Sequence, residues 1–427
     1  MDSSFADQNE SPPSLAMTIS ADGLGVIGYL VVDRTVGGSA SGGTRFARDV
    51  SIAELTGLAR SMTYKWAFLN VPMGGAKAGV FAYPRQGCCK RSQLMEAFGR
   101  SISPLIQQKV YYPGLDLGTR LKDLQAIMKG AGSTLAGEHF DSSYATALTV
   151  FETIRQVSIF HRWDLRGLRV ALEGFGKVTS SVAEMLQNAG AIVVGVSTRE
   201  GTITSNNGFD VQQLMLLNEL FGDDFVHHAI GSEVMSPRHL YSLEVDLLIP
   251  GLRPWAINES NVDDIKARWI VPVSDAPATG TAEAKLIERK VLFVPDFVSN
   301  CGGVLSMAMR KHDFDLDDVA QLISTTFAET VFKMLSESSR RGEYFAQFAR
   351  SLAWRNQLNL AASETSSIGT GIKASQLIIN KDWGGIKQRI AYEAHRRQSQ
   401  LNGPIRKSAL ARYAEMTLGA VAGQMDL

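Results

Sequence analysis

Cysteine is scarce in this chain, and its scarcity excludes one class of proteins. Three cysteines stand among 427 residues, two of them adjacent at Cys88 and Cys89 and the third at Cys301. Neighbouring cysteines are poorly placed to bridge, and three are too few for the disulfide framework of a small secreted domain. The sequence therefore favours a reducing compartment, and we expect a cytoplasmic protein.

The chain also lacks a long apolar run, a net charge and a metal-ligand spacing. Residues 1–14 are polar and acidic, so we expect neither a secretory signal nor a membrane segment. The 43 basic and 43 acidic side chains balance, which gives no reason to expect a nucleic acid or an anionic membrane as partner. The seven histidines are scattered, and we expect no metal site.

What the chain does have is enough apolar sequence, 45% of 427 residues, for two hydrophobic cores. From about Tyr144, short apolar runs alternate with helical patterns over Ala145–Phe160 and Val178–Asn188. This alternation is typical of βαβ units and a parallel sheet. The predicted strands of that sheet are Leu168–Glu173, Ala191–Ser197, Val245–Ile249, Trp269–Val273 and Val291–Val294.

The first third of the chain has its own pattern of elements. The apolar run Leu24–Val32 predicts a first strand. Helical spacing predicts one helix over Ile52–Trp66, which Ser51 is suited to cap, and another over Ser92–Ile106. The proline and glycines of Tyr111–Thr119 predict a loop.

A glycine-rich turn, Gly174-Phe175-Gly176, follows the predicted strand Leu168–Glu173 and opens a helical pattern. In this context backbone amides and a helix N-terminus face the pyrophosphate of a dinucleotide. Thr179 replaces the third glycine of the fingerprint, so the turn also fits a plain strand–helix connection. The next strand ends at Thr198 and Arg199, where NAD-preferring sites often place a carboxylate, and here no carboxylate appears until Glu200. Arg199 suits the 2′-phosphate of NADP, but also an exposed turn.

Lys77 stands behind two glycines in the stretch VPMGGAKAGV at Val71–Val80. Glycine has no Cβ and lets backbone or ligand approach closely, so the stretch indicates a lysine aimed at something small. Lys65 ends the predicted helix, and a short glycine-rich turn separates it from Lys77. Taken singly, Lys65 also fits a helix C-terminal cation, and Lys77 with Asp116 a surface ion pair.

Together these segments resemble the glutamate/leucine/phenylalanine/valine dehydrogenase family. The resemblance covers most of the chain, and the motifs stand in the order and spacing of the family. They are SGGTRF at Ser41–Phe46, MTYK at Met62–Lys65, PMGGAKAGV at Pro72–Val80, PGLDLGT at Pro113–Thr119, LEGFGKV at Leu172–Val178, DLLIPG at Asp246–Gly251 and VPDFVSNCGGV at Val294–Val304.

The resemblance implies reversible oxidative deamination of an L-amino acid to a 2-oxo acid and ammonia, with a hydride passing to NAD or NADP. It implies an α/β fold of two domains separated by a cleft, and a homo-oligomer. The Rossmann-like NAD(P)-binding domain would span 144–339. The substrate-binding and oligomerisation domain would span 1–143 and be completed by C-terminal helices over 340–427.

The resemblance also implies residue roles. In the family, the lysine matching Lys65 holds the α-carboxylate of the substrate, and the lysine matching Lys77 polarises the carbonyl and assists water. The aspartate matching Asp116 exchanges protons with the amino group, and Gly42 and Gly43 are expected beside the substrate. The expected cofactor-binding residues are Gly174, Gly176, Lys177, Val178, Thr198, Arg199, Thr146 and Asn300.

The expected pocket for the substrate side chain departs from that of glutamate-specific members. Those members carry a lysine where this chain has Ser41, and a serine where it has Met307. A buried γ-carboxylate without a cation is costly, so we expect an apolar or aromatic substrate. Met307 then lines the pocket, or packs in the core as the alternative.

A second departure concerns the loop at Ser274–Ala278, which reads SDAPA where the family has an EGAN-like turn. Pro277 has neither a side-chain amide nor a backbone donor for the cofactor. Tyr83, before Pro84, stands where a small polar residue is usual. A catalytically weak relative with a metabolite-binding or regulatory role therefore stays open as an alternative.

Overall fold

The computed structural model describes residues 11–82, 90–135, 142–229, 231–310 and 314–365. Tyr83, the Cys88–Cys89 pair and the basic C-terminal stretch lie outside the described residues. The chain divides into two compact units. Unit 1 holds the described residues up to 135 together with 350–365, and unit 2 holds those between 142 and 349.

Unit 1 is built on a five-stranded sheet. Its strands are β1 (Leu15–Ala21), β2 (Gly25–Val32), β3 (Ala40–Ala47), β4 (Gly74–Phe81) and β5 (Tyr111–Leu115). They lie in the order β1-β2-β4-β3-β5, with β3 parallel to both its neighbours and β2 antiparallel to both of its own. The helices are α1 (Ile52–Phe68), α2 (Arg91–Ser101), α3 (Ser103–Gln107) and α4 (Leu121–Gly130).

Helix α1 begins where the sequence predicts it, because the Ser51 hydroxyl accepts a hydrogen bond from the Glu54 amide at 3.1 Å. Its apolar residues pack with one face of the sheet, in a cluster that includes Leu55, Leu58 and Val31. The opposite face packs in a second core with α2. The sheet is therefore covered on both faces, and any polar side chain within it has to be paired.

Three sequence predictions in unit 1 need correction. Tyr111–Leu115 is a strand and not a loop, because β5 lies at the edge of the sheet, where Pro113 removes no essential ladder donor. The glycine pair before Lys77 lies inside β4 and not in a turn. Predicted helix Ser92–Ile106 is two helices, and Pro104 is suited to begin the second. An unpredicted strand, β1, also precedes the expected first one.

Unit 2 contains a six-stranded sheet. Its strands are β6 (Arg169–Glu173), β7 (Ile192–Ser197), β8 (Thr202–Thr204), β9 (Leu247–Ile249), β10 (Trp269–Ile270) and β11 (Leu292–Phe293). They lie in the order β11-β10-β9-β6-β7-β8, all parallel except β8. The predicted parallel sheet is confirmed, and β8 is an addition.

The order of these strands reverses beside β6, since β7 lies on one side of it and β9 on the other. Such a switch point at the carboxyl ends of parallel strands is where doubly wound folds bind dinucleotides. The helices of unit 2 are α5 (Ser143–His161), α6 (Lys177–Asn188), α7 (Val211–Phe221), α8 (Gly280–Glu288), α9 (Asp296–Ser299), α10 (Gly302–Arg310), α11 (Leu316–Leu322) and α12 (Ala328–Arg341).

The last described helix, α13 (Phe345–Thr365), contributes its residues from 350 onward to unit 1. There the Asn356 side-chain amide donates to the Ala67 carbonyl at 3.0 Å, which ties α13 to the end of α1. No helix among the described residues is long and apolar enough to cross a membrane.

Candidate active site

Lys77 projects from β4 toward helix α1. A Cβ built on Gly75 would lie 2.2 Å from the Thr63 amide nitrogen, so α1 lies directly against the strand at that point. A Cβ built on Gly79 would lie 3.2 Å from a methyl group of Leu55, which also belongs to α1. Side chains alternate along a strand, so Lys77 faces the same side as these two glycines. Gly75 thus allows α1 to pack directly against β4 beside Lys77.

Lys77 forms a buried ion pair with Asp116. The Lys77 Nζ lies 3.1 Å from Asp116 Oδ2, and the two side chains are only 3% and 18% exposed. Arg45 donates from its Nε to the same oxygen at 3.1 Å, and it also pairs with Glu54 of α1. Two cations on one carboxylate offset the cost of burying it. The alternative of a surface ion pair is therefore wrong.

The turn after β5 fixes the backbone of Asp116. The Asp116 amide donates to the Thr119 hydroxyl at 2.8 Å, and the Thr119 amide donates to the Asp116 carbonyl at 3.0 Å. A Cβ on Gly43 would lie 2.7 Å from the Cβ of Asp116, and one on Gly42 would lie 1.6 Å from the Ala76 carbonyl oxygen. Both glycines of the SGGTRF segment are thus required by packing. Their contact with substrate stays a prediction.

Lys65 lies in the last turn of α1, as a C-terminal cation would, but it is buried, with 5% of its surface exposed. The neighbouring Trp66 donates from its indole nitrogen to the Ser41 carbonyl at 3.4 Å, so this turn of α1 lies over β3. A solvated cation at a helix end does not account for that burial. Lys65 and Lys77 are therefore both buried, one in α1 and the other on the sheet face that α1 covers.

Sequence reasoning missed three polar residues of this site: Arg45, Glu54 and Tyr111. The Tyr111 hydroxyl donates to the Gly42 carbonyl at 3.1 Å, and burial raises the pKa of Tyr111, so it stays protonated. Arg45 contacts the same oxygen of Asp116 as Lys77 does, and Glu54 pairs in turn with Arg45. The only signal for Arg45 was its place within the SGGTRF motif.

The two residues expected beside the substrate side chain, Ser41 and Met307, differ in burial. Ser41 is buried in β3, and its hydroxyl donates to the Tyr112 carbonyl at 3.2 Å. Met307 of α10 is 41% exposed, so the alternative of core packing in unit 2 is wrong. The adjacent Ser306 is buried, and its hydroxyl has no hydrogen-bond partner among the described residues.

The glycine-rich turn of unit 2 joins β6 to α6. Gly174 has a φ of +77°, a conformation that favours glycine, and its amide donates to the Ser197 carbonyl at 2.7 Å. Gly176 is exposed, and a Cβ built on it would meet nothing within 4 Å. No side chain caps α6, whose first residues are Lys177 and Val178. This end of α6 fits a pyrophosphate, which would take the place of a capping side chain.

The loop after β9 packs against this turn. Thr179 stands where the fingerprint has its third glycine, and a Cβ on Gly251 would lie 2.6 Å from the Thr179 hydroxyl. The glycine that permits close packing is thus in the facing loop and not in the helix. The Gly251 and Leu252 amides donate to Glu173 Oε2 at 3.2 and 3.3 Å, and the Tyr241 hydroxyl donates to Oε1 at 2.9 Å. Burial raises the pKa of Glu173.

Asn300 is fixed by the loop that departs from the family pattern. Its side-chain amide donates to the Val273 carbonyl and to Asp275 Oδ1, both at 2.9 Å. Its own Oδ1 is buried and accepts no hydrogen bond within the described residues, which leaves an acceptor for a ligand. A Cβ on Gly303 would lie 3.1 Å from the Thr146 hydroxyl, so the start of α10 packs on the start of α5.

The carboxyl end of β7 leads into Thr198 and Arg199. The Thr198 hydroxyl donates to the Asp223 carbonyl at 2.8 Å, and Arg199 Nε lies 3.0 Å from Asp223 Oδ2. Sequence reasoning did not find Asp223, which comes from the 3-10 turn Gly222–His227 after α7. Within the described residues no group of three or more His, Cys, Asp or Glu side chains is arranged to hold a metal ion.

Models of one protein family match both the N-terminal part and the middle of the chain. Residues 137–355 match the family model described as Glutamate/Leucine/Phenylalanine/Valine dehydrogenase. Residues 17–132 match the model described as Glu/Leu/Phe/Val dehydrogenase, dimerisation domain. The NAD-specific glutamate dehydrogenase of Staphylococcus aureus (strain COL) is 31% identical over 293 residues, which cover 65% of this chain and 70% of that protein.

Solved structures share the fold. Hetero-hexameric glutamate dehydrogenase from Thermus thermophilus, in its leucine-bound form, is 25% identical with a TM-score of 0.70, over 84% of this chain and 91% of that one. L-tryptophan dehydrogenase from Nostoc punctiforme is 21% identical with a TM-score of 0.58, over 84% of this chain and 99% of that one.

Proposed function

Since the chain belongs to the glutamate/leucine/phenylalanine/valine dehydrogenase family, we propose that it interconverts an apolar or aromatic L-amino acid with its 2-oxo acid and ammonia. It is an amino acid dehydrogenase that acts on a CH–NH2 group, and its cofactor is NAD or NADP. The observation that carries the proposal is the buried ion pair of Lys77 and Asp116.

The ion pair provides a proton donor and a proton acceptor 3.1 Å apart, in a place of limited solvent access. A bound nicotinamide would supply the hydride acceptor for the substrate Cα, and loss of the hydride converts the amine of the substrate to an iminium group. Lys77 assists the addition of water to the iminium carbon and stabilises the oxygen that becomes the carbonyl. Asp116 exchanges protons with the departing amino group. Both protons of the added water leave with the amino nitrogen as ammonium, and the proton that the substrate ammonium group loses before hydride transfer passes to solvent. The protons therefore balance while carbon–nitrogen and carbon–oxygen bonds change.

Lys65 binds the substrate α-carboxylate in this proposal. The support is the match of the MTYK segment to the family together with the burial of Lys65 in α1. The assignment of Gly42 and Gly43 beside the substrate rests on the match of the SGGTRF segment to the family. Arg45 and Glu54 position Asp116 and do not themselves react.

Unit 2 binds the dinucleotide in this proposal. Gly174, Gly176, Lys177 and Val178 bind its pyrophosphate at the uncapped start of α6. The Asn300 Oδ1, a buried acceptor with no hydrogen-bond partner in the described chain, receives a donor from the nicotinamide half. Thr146, also assigned to the cofactor in this proposal, packs beside Gly303 at the start of α10, the helix that follows Asn300.

The preference against glutamate rests on Ser41. This residue offers a hydroxyl, already donated to the Tyr112 carbonyl, where a γ-carboxylate would need a cation. The Staphylococcus relative is named for glutamate, so glutamate is the competing substrate. We further infer a cytoplasmic homo-oligomer. Its support is the low cysteine content and the N-terminal match to a model described as a dimerisation domain.

The test is an assay of reduced coenzyme at 340 nm with leucine, valine, phenylalanine, tryptophan and glutamate, each with NAD and NADP. We expect the highest kcat/KM for an apolar or aromatic amino acid. A preference for glutamate would overturn the substrate assignment. Binding of a dinucleotide without turnover of any amino acid or 2-oxo acid would favour the alternative, a metabolite-binding or regulatory relative.

A further inference from the structure

The carboxylate of Asp223, a residue remote in sequence, lies at the carboxyl end of β7. In a β-α-β dinucleotide site, the end of the second strand lies beside the adenosine ribose, where an acidic residue binds the 2′-hydroxyl of NAD. In this chain the first strand is β6, the helix is α6 and the second strand is β7, which ends at Ser197. Thr198 and Arg199 follow, and neither is acidic.

Asp223 fills this position from another element. The Thr198 hydroxyl donates to the Asp223 carbonyl at 2.8 Å and accepts from the Glu200 amide at 3.1 Å, so the backbone of Asp223 is fixed to the end of β7. The Asp223 carboxylate lies 3.0 Å from Arg199 Nε. The two side chains are 37% and 61% exposed, so a ligand reaches both.

The chemistry of the pair differs for the two coenzymes. A carboxylate accepts hydrogen bonds from ribose hydroxyls, but it repels the roughly two negative charges of a 2′-phosphate. Arg199 favours a 2′-phosphate only when its charge is not already neutralised by Asp223. An exposed ion pair of this kind contributes little to folding, so its partners are available to a ligand.

We infer that Asp223 is the residue that makes this site select NAD over NADP, by accepting the ribose hydroxyls and by occupying Arg199. The inference rests on the proposed dinucleotide role of unit 2 and deepens it. Removal of the Asp223 charge would leave Arg199 as the dominant group beside the ribose, and so reverse the preference.

The experiment measures the dissociation constants of NADH and NADPH by coenzyme fluorescence for the wild type, Asp223→Asn and Asp224→Asn. Asp224 is the matched control, because it loses the same charge one residue away and faces His227 and His228 at 3.9 and 3.8 Å. We expect the wild type to bind NADH more tightly. Asp223→Asn should bind NADH about tenfold more weakly and NADPH about tenfold more tightly. Asp224→Asn should keep the wild-type ratio.

Adding Arg199→Ala to Asp223→Asn should abolish the gain for NADPH. A wild type that prefers NADPH, or an Asp223→Asn variant with the ratio of the Asp224→Asn control, would overturn the inference alone, because the amino acid assay still reports on the proposed function. Failure of the wild type to bind either coenzyme would overturn both.

Discussion

Lys77 and Asp116 meet in a buried ion pair although a whole strand separates the strands that carry them. Lys77 belongs to β4 and Asp116 follows β5, while β3 lies between these two in the sheet. The 3.1 Å contact between Nζ and Oδ2 is possible because Gly43 of β3 has no side chain, and a Cβ there would lie 2.7 Å from that of Asp116. Gly43 of the SGGTRF segment thus allows the side chains of Lys77 and Asp116 to meet.

Arg45→Gln removes the second cation from Asp116 and tests its positioning role. We expect kcat to fall by up to about a hundredfold, because a displaced Asp116 no longer meets the amino group. We also expect the acidic limb of the kcat/KM profile to move to higher pH, because a carboxylate that loses a cation holds its proton more firmly. The measurement is a pH–rate profile of the wild type, Arg45→Gln and a second variant, Glu54→Gln. We expect a smaller fall in kcat for Glu54→Gln, because Glu54 contacts Asp116 only through Arg45.

Arg100→Gln is the matched control for Arg45→Gln. Arg100 pairs with Glu96 at 3.2 Å in the same unit. An unchanged pH profile in Arg45→Gln, or an equal change in Arg100→Gln, would contradict the positioning role.

Gly75→Ala tests the close approach of α1 to β4. The new Cβ would lie 2.2 Å from the Thr63 amide nitrogen, and backbone cannot move aside cheaply. We expect the free energy of unfolding in urea to fall by about 1–3 kcal/mol, as for other overpacked sites. Gly280→Ala is the control, because a Cβ there meets nothing within 4 Å. Equal stability of the two variants would show that α1 does not contact β4 as described.

Glu173→Gln tests the burial of the carboxyl group behind the glycine-rich turn. Burial raises the pKa of Glu173 in the folded state, so the folded protein holds this proton after the unfolded chain has released it. The group therefore favours folding below its ordinary pKa, and this contribution is lost as pH rises through the raised value. Glutamine does not titrate, so the stability of Glu173→Gln relative to the wild type should rise with pH, beginning above roughly pH 4.

The measurement for Glu173 is a series of urea unfolding curves from acidic to neutral pH. Glu244→Gln, at a side chain that is 83% exposed, controls for general charge effects. A stability difference between Glu173→Gln and the wild type that stays constant over the whole series would contradict a raised pKa.

Ser41→Lys tests the assignment of the substrate pocket. A cation at this position should raise the kcat/KM for glutamate relative to leucine, since it offsets the desolvation of the γ-carboxylate. Ser41→Met is the control, because it adds similar length to a buried site without a charge. If both variants bind dinucleotide and show the same substrate ratio, Ser41 does not face the substrate side chain.

Sequence patterns were sufficient where the determinants are local. The parallel strands of unit 2 are short apolar runs between helical patterns, and the start of α1 follows from the cap at Ser51. Arg45 and Asp223 were out of reach, because their partners depend on strand order and on a turn remote in sequence. The strand at Tyr111–Leu115 was missed because proline and glycine signal a loop unless the strand is known to lie at an edge.

The most direct test of the account is the turnover of Lys77→Gln on the best amino acid of the panel. Dinucleotide affinity serves as the check of folding, and Lys285→Gln, at a side chain that is 42% exposed, is the matched control. We predict that Lys77→Gln loses about a thousandfold in kcat while it still binds the coenzyme, as expected for loss of a general acid–base group. A Lys77→Gln variant that turns over as fast as the Lys285→Gln control would contradict the account.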